Sequence, residues 1–495
     1  MGDGTVLARV GLDAHLGIII SLLYERKHIG SKNVLYVFFM NKAKSSHLDL
    51  MLQTPVPELL WRLAGPNVVA ITVLTAVTFA DAWYVGQLGT VALASLALVF
   101  PFQTLMQMMA GGSIGGGVTS SMARALGKGD EETATRVLWH AILIGAGMSL
   151  LLIVVLGIFP QPIFVLLGGE GTALAGAVAY ARIAFGAGVA IWMLYICAAA
   201  LRGMGDTVTP SRAITVASVV QVGLSGALTL GWVGLPALGV IGPAIAMIVC
   251  QGSAAFYMAW HLATGRSRIR LTPRPVEWLI FKDILKVGGI GLFNSFFMAT
   301  TVIVVTGFIG RYGTEALAGY GLGARLELML VPVSFGIGAA LTAAVGANFG
   351  ARQYARARRA AWSGAAVTFI VTGAIGTTVA ISPGVWLDMF TDEAGPYGFG
   401  AAYLSIAGPF YALFGAGQAL YFASQGTGRV LLPVMASGLR FFVVVGLGGL
   451  AVAAGWEITA VFWVVALGLV MIGVGQALCL YTPGWRPEKH ASISP

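Results

Sequence analysis

The sequence predicts an all-α integral membrane protein of twelve transmembrane helices built as two six-helix repeats. Three observations predict it. Composition comes first: 57% of the 495 residues are hydrophobic, only 10% are charged, and mean hydropathy is +0.85, whereas a soluble domain carries about 25% charge. The second is the spacing of apolar runs, which start near positions 66, 91, 134, 177, 209, 238, 288, 316, 358, 400, 431 and 458. Each run is long enough to cross about 30 Å of hydrocarbon as helix. The third is an internal duplication.

Gly86-Gln87-Leu88-Gly89-Thr90 recurs as Gly310-Arg311-Tyr312-Gly313-Thr314, and Trp139 recurs as Trp362. Tyr180, Ile183, Gly203, Gly205 and Pro210 line up with Tyr403, Ile406, Gly426, Gly428 and Pro433, at an offset of 223 to 224 residues throughout. A constant offset over most of a chain means two copies of one structural unit. An even number of spans per copy makes both copies enter from the same side, related by an axis along the membrane normal. The expected lobes are residues 55–265 and 287–482, joined by a cytoplasmic linker at 266–286 and followed by a tail at 483–495. Residues 1–54 are an extension with no counterpart in the second half; their apolar runs, Leu16 to Tyr24 and Val34 to Met40, are too short to span, and Met40 or Met51 would serve as a start.

Basic residues set the orientation. Arg266, Arg268, Arg270, Arg274, Lys282 and Lys286 lie between spans six and seven; Arg352, Arg356, Arg358 and Arg359 between eight and nine; Arg124, Lys128 and Arg136 after span two. The alternate loops hold Glu170, Glu315, Asp388, Asp392, Glu393 and Glu457, with Arg311 as their one basic residue. The positive-inside rule then puts both termini in the cytoplasm of a multi-pass protein of the cell (inner) membrane. The net charge of +9 and pI near 9.5 read as this topology signal, and no nucleic-acid partner is expected.

Asp81 is the residue that the scaffold does not explain. An ionised carboxylate in hydrocarbon is expensive, so an acid within a span faces a cavity or a partner and marks an ion or proton path. At the repeat offset Asp81 falls opposite Val305, so packing alone does not require an acid there. Counted from residue 66 it lies about 15 residues into span one, roughly 22 Å at 1.5 Å per residue. Gln221 and Ser225 reach comparable depth in span five, four apart and so on one helix face. With a proton the carboxyl donates a hydrogen bond; without it, it holds a cation beside neutral oxygens. The bland alternative is an acid that caps a neighbouring helix or loop. Glu327 is the second acid well inside a span, with Arg325 two positions away on another side of the helix and Arg440 as its candidate partner. A buried ion pair and a substrate contact both fit it. Arg182, near a span end, snorkels to the interface.

Other signals exclude more than they assign. Cys197, Cys250 and Cys479 lie singly in apolar spans, and the six histidines show no ligand spacing, so no metal or disulfide is expected. The GxG segments LRGMGDT and SQGTGR lack a following strand-to-helix unit and no Walker A sequence occurs, so the chain does not bind ATP to power itself. No paired-carboxylate or His-Asp arrangement at a membrane face argues for an enzyme. Gly111, Gly112 and Gly115 to Gly117 in span two, like Gly336 and Gly338 in span eight, allow close helix contact or bending.

The stretch ADAWYVGQLGT (Ala80 to Thr90), ARALGKGDEETA (Ala123 to Ala134), LRGMGDTVTP (Leu201 to Pro210), LPALGVIGPAIA (Leu235 to Ala246), GRYGTEALAGYGLGARLE (Gly310 to Glu327) and GANFGARQ (Gly346 to Gln353) resembles the multidrug and toxic compound extrusion family. The similarity covers about residues 55 to 482 with its motifs in order. It implies two six-helix lobes that rock around a central cleft and export organic, often cationic compounds against an inward flow of protons or sodium ions. Asp81 matches the family's first-helix acid; Gln221 and Ser225 stand where many members carry Asn and then Asn or Asp. Members with a second-lobe cation site carry acids in spans seven and ten, where this chain shows residues such as Met298 and Phe414. The expectation is therefore a monomeric antiporter exporting drug-like organic cations for protons, with sodium coupling or a flippase for lipid-linked saccharides as alternatives. The flippase reading calls for a large basic cavity, yet only Arg182, Arg325 and Arg440 fall inside spans. No cofactor is expected; the partners are a small organic substrate, the proton and the bilayer. Trp83, Trp192, Tyr195, Phe296, Phe297, Tyr411, Phe414 and Tyr421 are candidates to line the cleft and stack on flat cations.

Overall fold

The computed structural model describes residues 47–485. The extension up to residue 46 and the tail beyond 485 lie outside the described residues, as do Met40 and most of the expected N-terminal segment. The spans are α1 (Val56–Gly86), α2 (Thr90–Gly127), α3 (Glu131–Ile158), α4 (Gly171–Gly186 and Gly188–Gly203, bent by 47°), α5 (Val208–Leu230), α6 (Gly239–Ala263), α7 (Trp278–Gly310), α8 (Thr314–Gly350), α9 (Tyr354–Ile381), α10 (Ala394–Gly426), α11 (Leu431–Ala453) and α12 (Ile458–Cys479). Helix is the form that satisfies every backbone donor and acceptor within one segment, as hydrocarbon demands. Taking the bent pair as one span gives twelve.

Two helices start well before the apolar runs that announce them. α1 begins at Val56, ten residues ahead of the run near 66, and α7 at Trp278, inside the stretch expected to be linker. Pro55 precedes the first turn of α1, where a proline at the helix start costs no hydrogen bond. At α3 the cap is Asp130, whose Oδ1 accepts the Thr133 backbone N–H at 2.9 Å while Glu131 and Glu132 follow in the first turn. The Thr133 hydroxyl and N–H together hold the Asp130 carboxyl below the usual carboxylate range. His140 fastens the linker to α3: its Nε2 accepts the Glu277 N–H at 2.8 Å, which leaves Nδ1 to donate to Arg136 O at 2.7 Å.

The duplication is exact enough to be seen bond by bond. Thr119 Oγ1 donates to Ala199 O and its mate Thr342 Oγ1 donates to Phe422 O, both at 2.9 Å. The change of offset has a structural cause. Leu98 and Leu322 are 224 apart, whereas Thr119 and Thr342 are 223 apart. Between them α2 winds as π-helix over Met108–Ile114, while α8 runs on as α-helix through the equivalent stretch. A π turn absorbs one extra residue without ending the helix.

The repeats are two in sequence but interlock in space. The first part of α1 belongs to the core of the second repeat: Val56, Leu59, Leu60 and Leu63 pack with Ile337, Leu341 and Ala344 of α8 and Ala357 and Ala361 of α9. Met51 is fully buried there, and its carbonyl accepts Asn348 Nδ2 at 2.9 Å. The later part of α1 returns to α5 of its own repeat. α7 does the reverse, with Ile284 in the first-repeat core and Val305 in the second.

One end of the bundle is sealed. At the end bearing the basic loops, a Cβ on Gly127 would fall 2.1 Å from Ala347 O, and one on its mate Gly350 would fall 2.3 Å from Arg124 O. Ser120 donates to Gln425 O, Gln425 Nε2 donates to Gly112 O at 3.0 Å, and Ser113 and Ser295 share a hydrogen bond of 2.9 Å. Beyond Gly112 and Ser295, toward the acidic loops, no hydrogen bond among the described residues joins α2 to α7, α8 or α10.

Candidate functional site

Two polar clusters built around an acid lie within the lobes, one in each, beside an acid-free contact of Arg202 and Ser211 with Asn67 Oδ1 in the first. In the first, Ser225 Oγ of α5 donates to Asp81 Oδ1 of α1 at 2.5 Å. Gln221, one turn earlier on α5, is within hydrogen-bonding reach of the same carboxyl, and its Oε1 accepts Gln251 Nε2 of α6 at 3.2 Å. Gln221 and Ser225 are 1% and 0% exposed, Asp81 is half-buried. All three expected residues therefore meet. Asp81 stands five residues before the end of α1, and Ser225 five before the end of α5. Because α1 starts at Val56, Asp81 is about 37 Å along it, nearer the acidic-loop end than the count from residue 66 suggested. It does not cap a neighbouring helix; its partners are side chains.

Tyr180 of α4 is close enough to feel the Asp81 charge, and its hydroxyl accepts Gln103 Nε2 at 3.0 Å. Gln251 and Gln103 were not singled out by sequence reading, and Tyr180 only as a repeat position, since single amides and tyrosines are common in membrane cores.

The second cluster corrects an expected pairing. Among the described residues no ion pair joins Glu327 to Arg325 or Arg440. Tyr403 donates its hydroxyl to Glu327 Oε1 instead, and Tyr320 packs edge-on to Tyr403 at 5.0 Å. Arg440 is 7% exposed and acts on the carboxyl through space while its Nη1 points at Met298 Sδ, 3.2 Å away. Arg325 is exposed. The duplication explains the place: Glu327 lies thirteen residues into α8 and Gln103 thirteen into α2, and their partners Tyr403 and Tyr180 are also mates. An amide–tyrosine contact in one lobe has become a carboxyl–tyrosine contact in the other. That signal was available from the offset alone.

A double-mutant cycle tests this contact. Tyr403→Phe should lower stability in detergent, because it strips a half-buried acceptor of its donor at a cost of about 1 kcal/mol or more. The same change in a Glu327→Gln background should cost less, and Glu327→Gln alone should lower the thermal midpoint while leaving the set of transported compounds unchanged. Equal effects of Tyr403→Phe in both backgrounds would remove the pairing.

The aromatic candidates divide. Trp192, Tyr411 and Phe414 are in the lobe cores, at 0%, 0% and 5% exposure, whereas Trp83 and Phe296 are exposed. Phe297 stacks on Phe441. Tyr195 and Tyr421 belong to the seam: a Cβ on Gly111 would lie 3.0 Å from Tyr195 and 3.3 Å from Phe335 of the other repeat, and one on Gly291 would lie 3.1 Å from the Tyr421 hydroxyl. Phe335, edge-on to Phe422 at 5.3 Å, adds a residue that sequence reading missed. The glycines of α2 serve contact between helices, as their crowding shows.

The MatE family profile matches residues 66–225 and 291–450, one match in each repeat. A protein named FAD transporter from Shewanella oneidensis is 27% identical over 316 residues, 63% of this chain and 69% of that one. A probable multidrug resistance protein NorM from Deinococcus radiodurans is 27% identical over 436 residues, 84% of this chain and 93% of its own. Two solved structures share the fold over 90% of this chain and 99% of theirs. One is an outward-facing multidrug resistance transporter, with TM-score 0.81 and 22% identity, and the other a MATE protein in a bent conformation, with TM-score 0.83 and 21% identity. With both halves of the duplication matched by one family profile, over more than half its length, the chain belongs to the multidrug and toxic compound extrusion (MatE) family of membrane transporters.

Proposed function

We propose that the protein is a secondary active antiporter that exports organic cations in exchange for protons, with Asp81 as the exchanging group. The observation that carries this reading is the Asp81 cluster: one carboxyl bonded to the neutral hydroxyl of Ser225 with the Gln221 amide close by, and no second carboxylate beside it among the described residues. A single acid among neutral donors can hold either one proton or one cation, and that exclusivity is what couples two flows. Ser225 donates to the ionised form and accepts from the protonated form, so the site remains hydrogen-bonded through the exchange. The seal at the basic end, with no cross-lobe hydrogen bond toward the acidic end among the described residues, supports an outward-facing state of a cell-membrane protein with cytoplasmic termini. One chain supplies both repeats, so a monomer suffices.

Proteoliposomes test the coupling. An imposed proton gradient should drive uptake of a fluorescent organic cation, and a sodium gradient at fixed pH should not. Sodium-driven transport at fixed pH would replace the proton with sodium in this reading. Because one relative is named as an FAD transporter, the assay should include FAD; transport of FAD but of no cation would overturn the substrate class.

A further inference from the structure

We propose that the sealed end holds an anion site, formed by both repeats together, which takes a phosphate-bearing anion. A cavity of about 310 Å³ opens there, lined by Arg124 and Lys128 from the end of α2, Asp283 and Lys286 from α7, Gly350, Arg352 and Tyr354 between α8 and α9, and Arg429 beside Gly428 before α11. Five cationic side chains thus face one carboxylate. That carboxylate is already engaged: Asp283 takes Arg124 Nη2 on both oxygens, at 2.9 and 2.8 Å. Among the described residues no acid in the cavity answers the remaining four positive charges, of which Arg429 donates Nη1 to the Gly484 carbonyl at 3.0 Å.

Clustered arginines and lysines at this end would ordinarily be read as topology signal, which depends on their number in a loop and not on their exact place. The duplication supplies an internal control against that reading. Arg352 adopts φ +60°, the left-handed region that strains a residue with a Cβ, and is the one non-glycine residue among those described with positive φ. Its mate in the first repeat is Gly129, at φ +80°. Scaffold geometry therefore calls for glycine, and the chain accepts strain to put a guanidinium in the cavity wall. Such strain persists where function demands it. Arg429 is a second departure, since its mate is Asp206. Both departures add positive charge on the second-repeat side of the same cavity, while α2 contributes Arg124 and Lys128 from the first.

A phosphate group answers clustered guanidinium and ammonium groups with charge-assisted hydrogen bonds, arginine binding its oxygens in pairs. The same chemistry comes from two sources, the headgroup of an anionic lipid or a soluble phosphate ester. Either would bridge the repeats and stabilise the state in which this end is closed, because parting the repeats dismantles the site.

The test is thermal unfolding of the purified full chain. In detergent, inorganic phosphate should raise the midpoint by several degrees and saturate, against chloride at matched ionic strength; in nanodiscs, phosphatidylglycerol added to phosphatidylcholine should do so. Arg352→Gly installs the residue the backbone favours, so its midpoint in chloride should equal or exceed wild type, while its affinity for the effective anion falls about tenfold or more. Lys128→Gln with Lys286→Gln, which removes charge without touching the Arg124–Asp283 pair, should lose the response as well. A response to phosphate that these variants lose supports the soluble source, and one confined to phosphatidylglycerol supports the lipid. No response to either anion, or the same response in wild type and both variants, overturns the site.

Discussion

Asp81→Asn should express and fold near wild type yet abolish gradient-driven efflux. The substitution keeps the size of the side chain and its hydrogen bond with Ser225, which accepts from or donates to an amide as readily as a carboxyl. It removes the exchangeable proton. A carrier that cannot trade its proton for substrate has no thermodynamic link to the gradient, however well substrate still binds. Ser225→Ala should be milder: it deletes one hydrogen bond to the ionised form, and Gln221 remains, so transport should slow and its pH dependence move while coupling persists. The measurement is drug efflux beside expression level in the same cells. A well-expressed Asn variant exporting at the wild-type rate would refute Asp81 as the coupling group and leave Glu327 as the remaining acid inside a lobe.

Gly127→Ala combined with Gly350→Ala should fold but stop transport by preventing closure of the basic end. Each methyl would meet backbone, Ala347 O at 2.1 Å and Arg124 O at 2.3 Å, so no side-chain rotation relieves it. Overpacking of this kind costs on the order of 1–3 kcal/mol per site. Two such sites shift a two-state balance by a factor of about thirty or more, taking ~1.4 kcal/mol per factor of ten. The strain vanishes when the repeats part, so the protein has a folded state to occupy. Ser120→Cys reports on it, since Ser120 is fully buried in the seam: a membrane-impermeant thiol reagent should label that cysteine from the basic side in the alanine background and not in the wild-type background. Wild-type transport by the double variant would mean the seam does not have to close so tightly.

What the sequence determines here is what the bilayer enforces locally. Hydrocarbon demands helices of sufficient length and apolarity, so spans can be counted from hydropathy, and the duplication, being a property of residue order, fixes two repeats. Even the change of offset is written there, although only the structure reveals the π turn that absorbs the additional residue. Asp81 was visible because an acid in an apolar run stands out against its valine mate. Gln221 and Ser225 were visible because a four-residue spacing fixes a shared helix face.

Tertiary structure decided everything that depends on which helices touch. Asp81 and Ser225 are 144 residues apart and Tyr403 and Glu327 are 76 apart, so no periodicity links them. Glu327 illustrates the consequence: charge complementarity pointed to Arg440, but packing brought the hydroxyl of Tyr403 to the carboxyl first. The crossing of α1 and α7 between the cores, the burial of Trp192, Tyr411 and Phe414, and the gathering of basic loops around one cavity are likewise outcomes of packing. The physical reason is that a transmembrane helix is apolar all round, so its sequence states that it will be buried without stating against what.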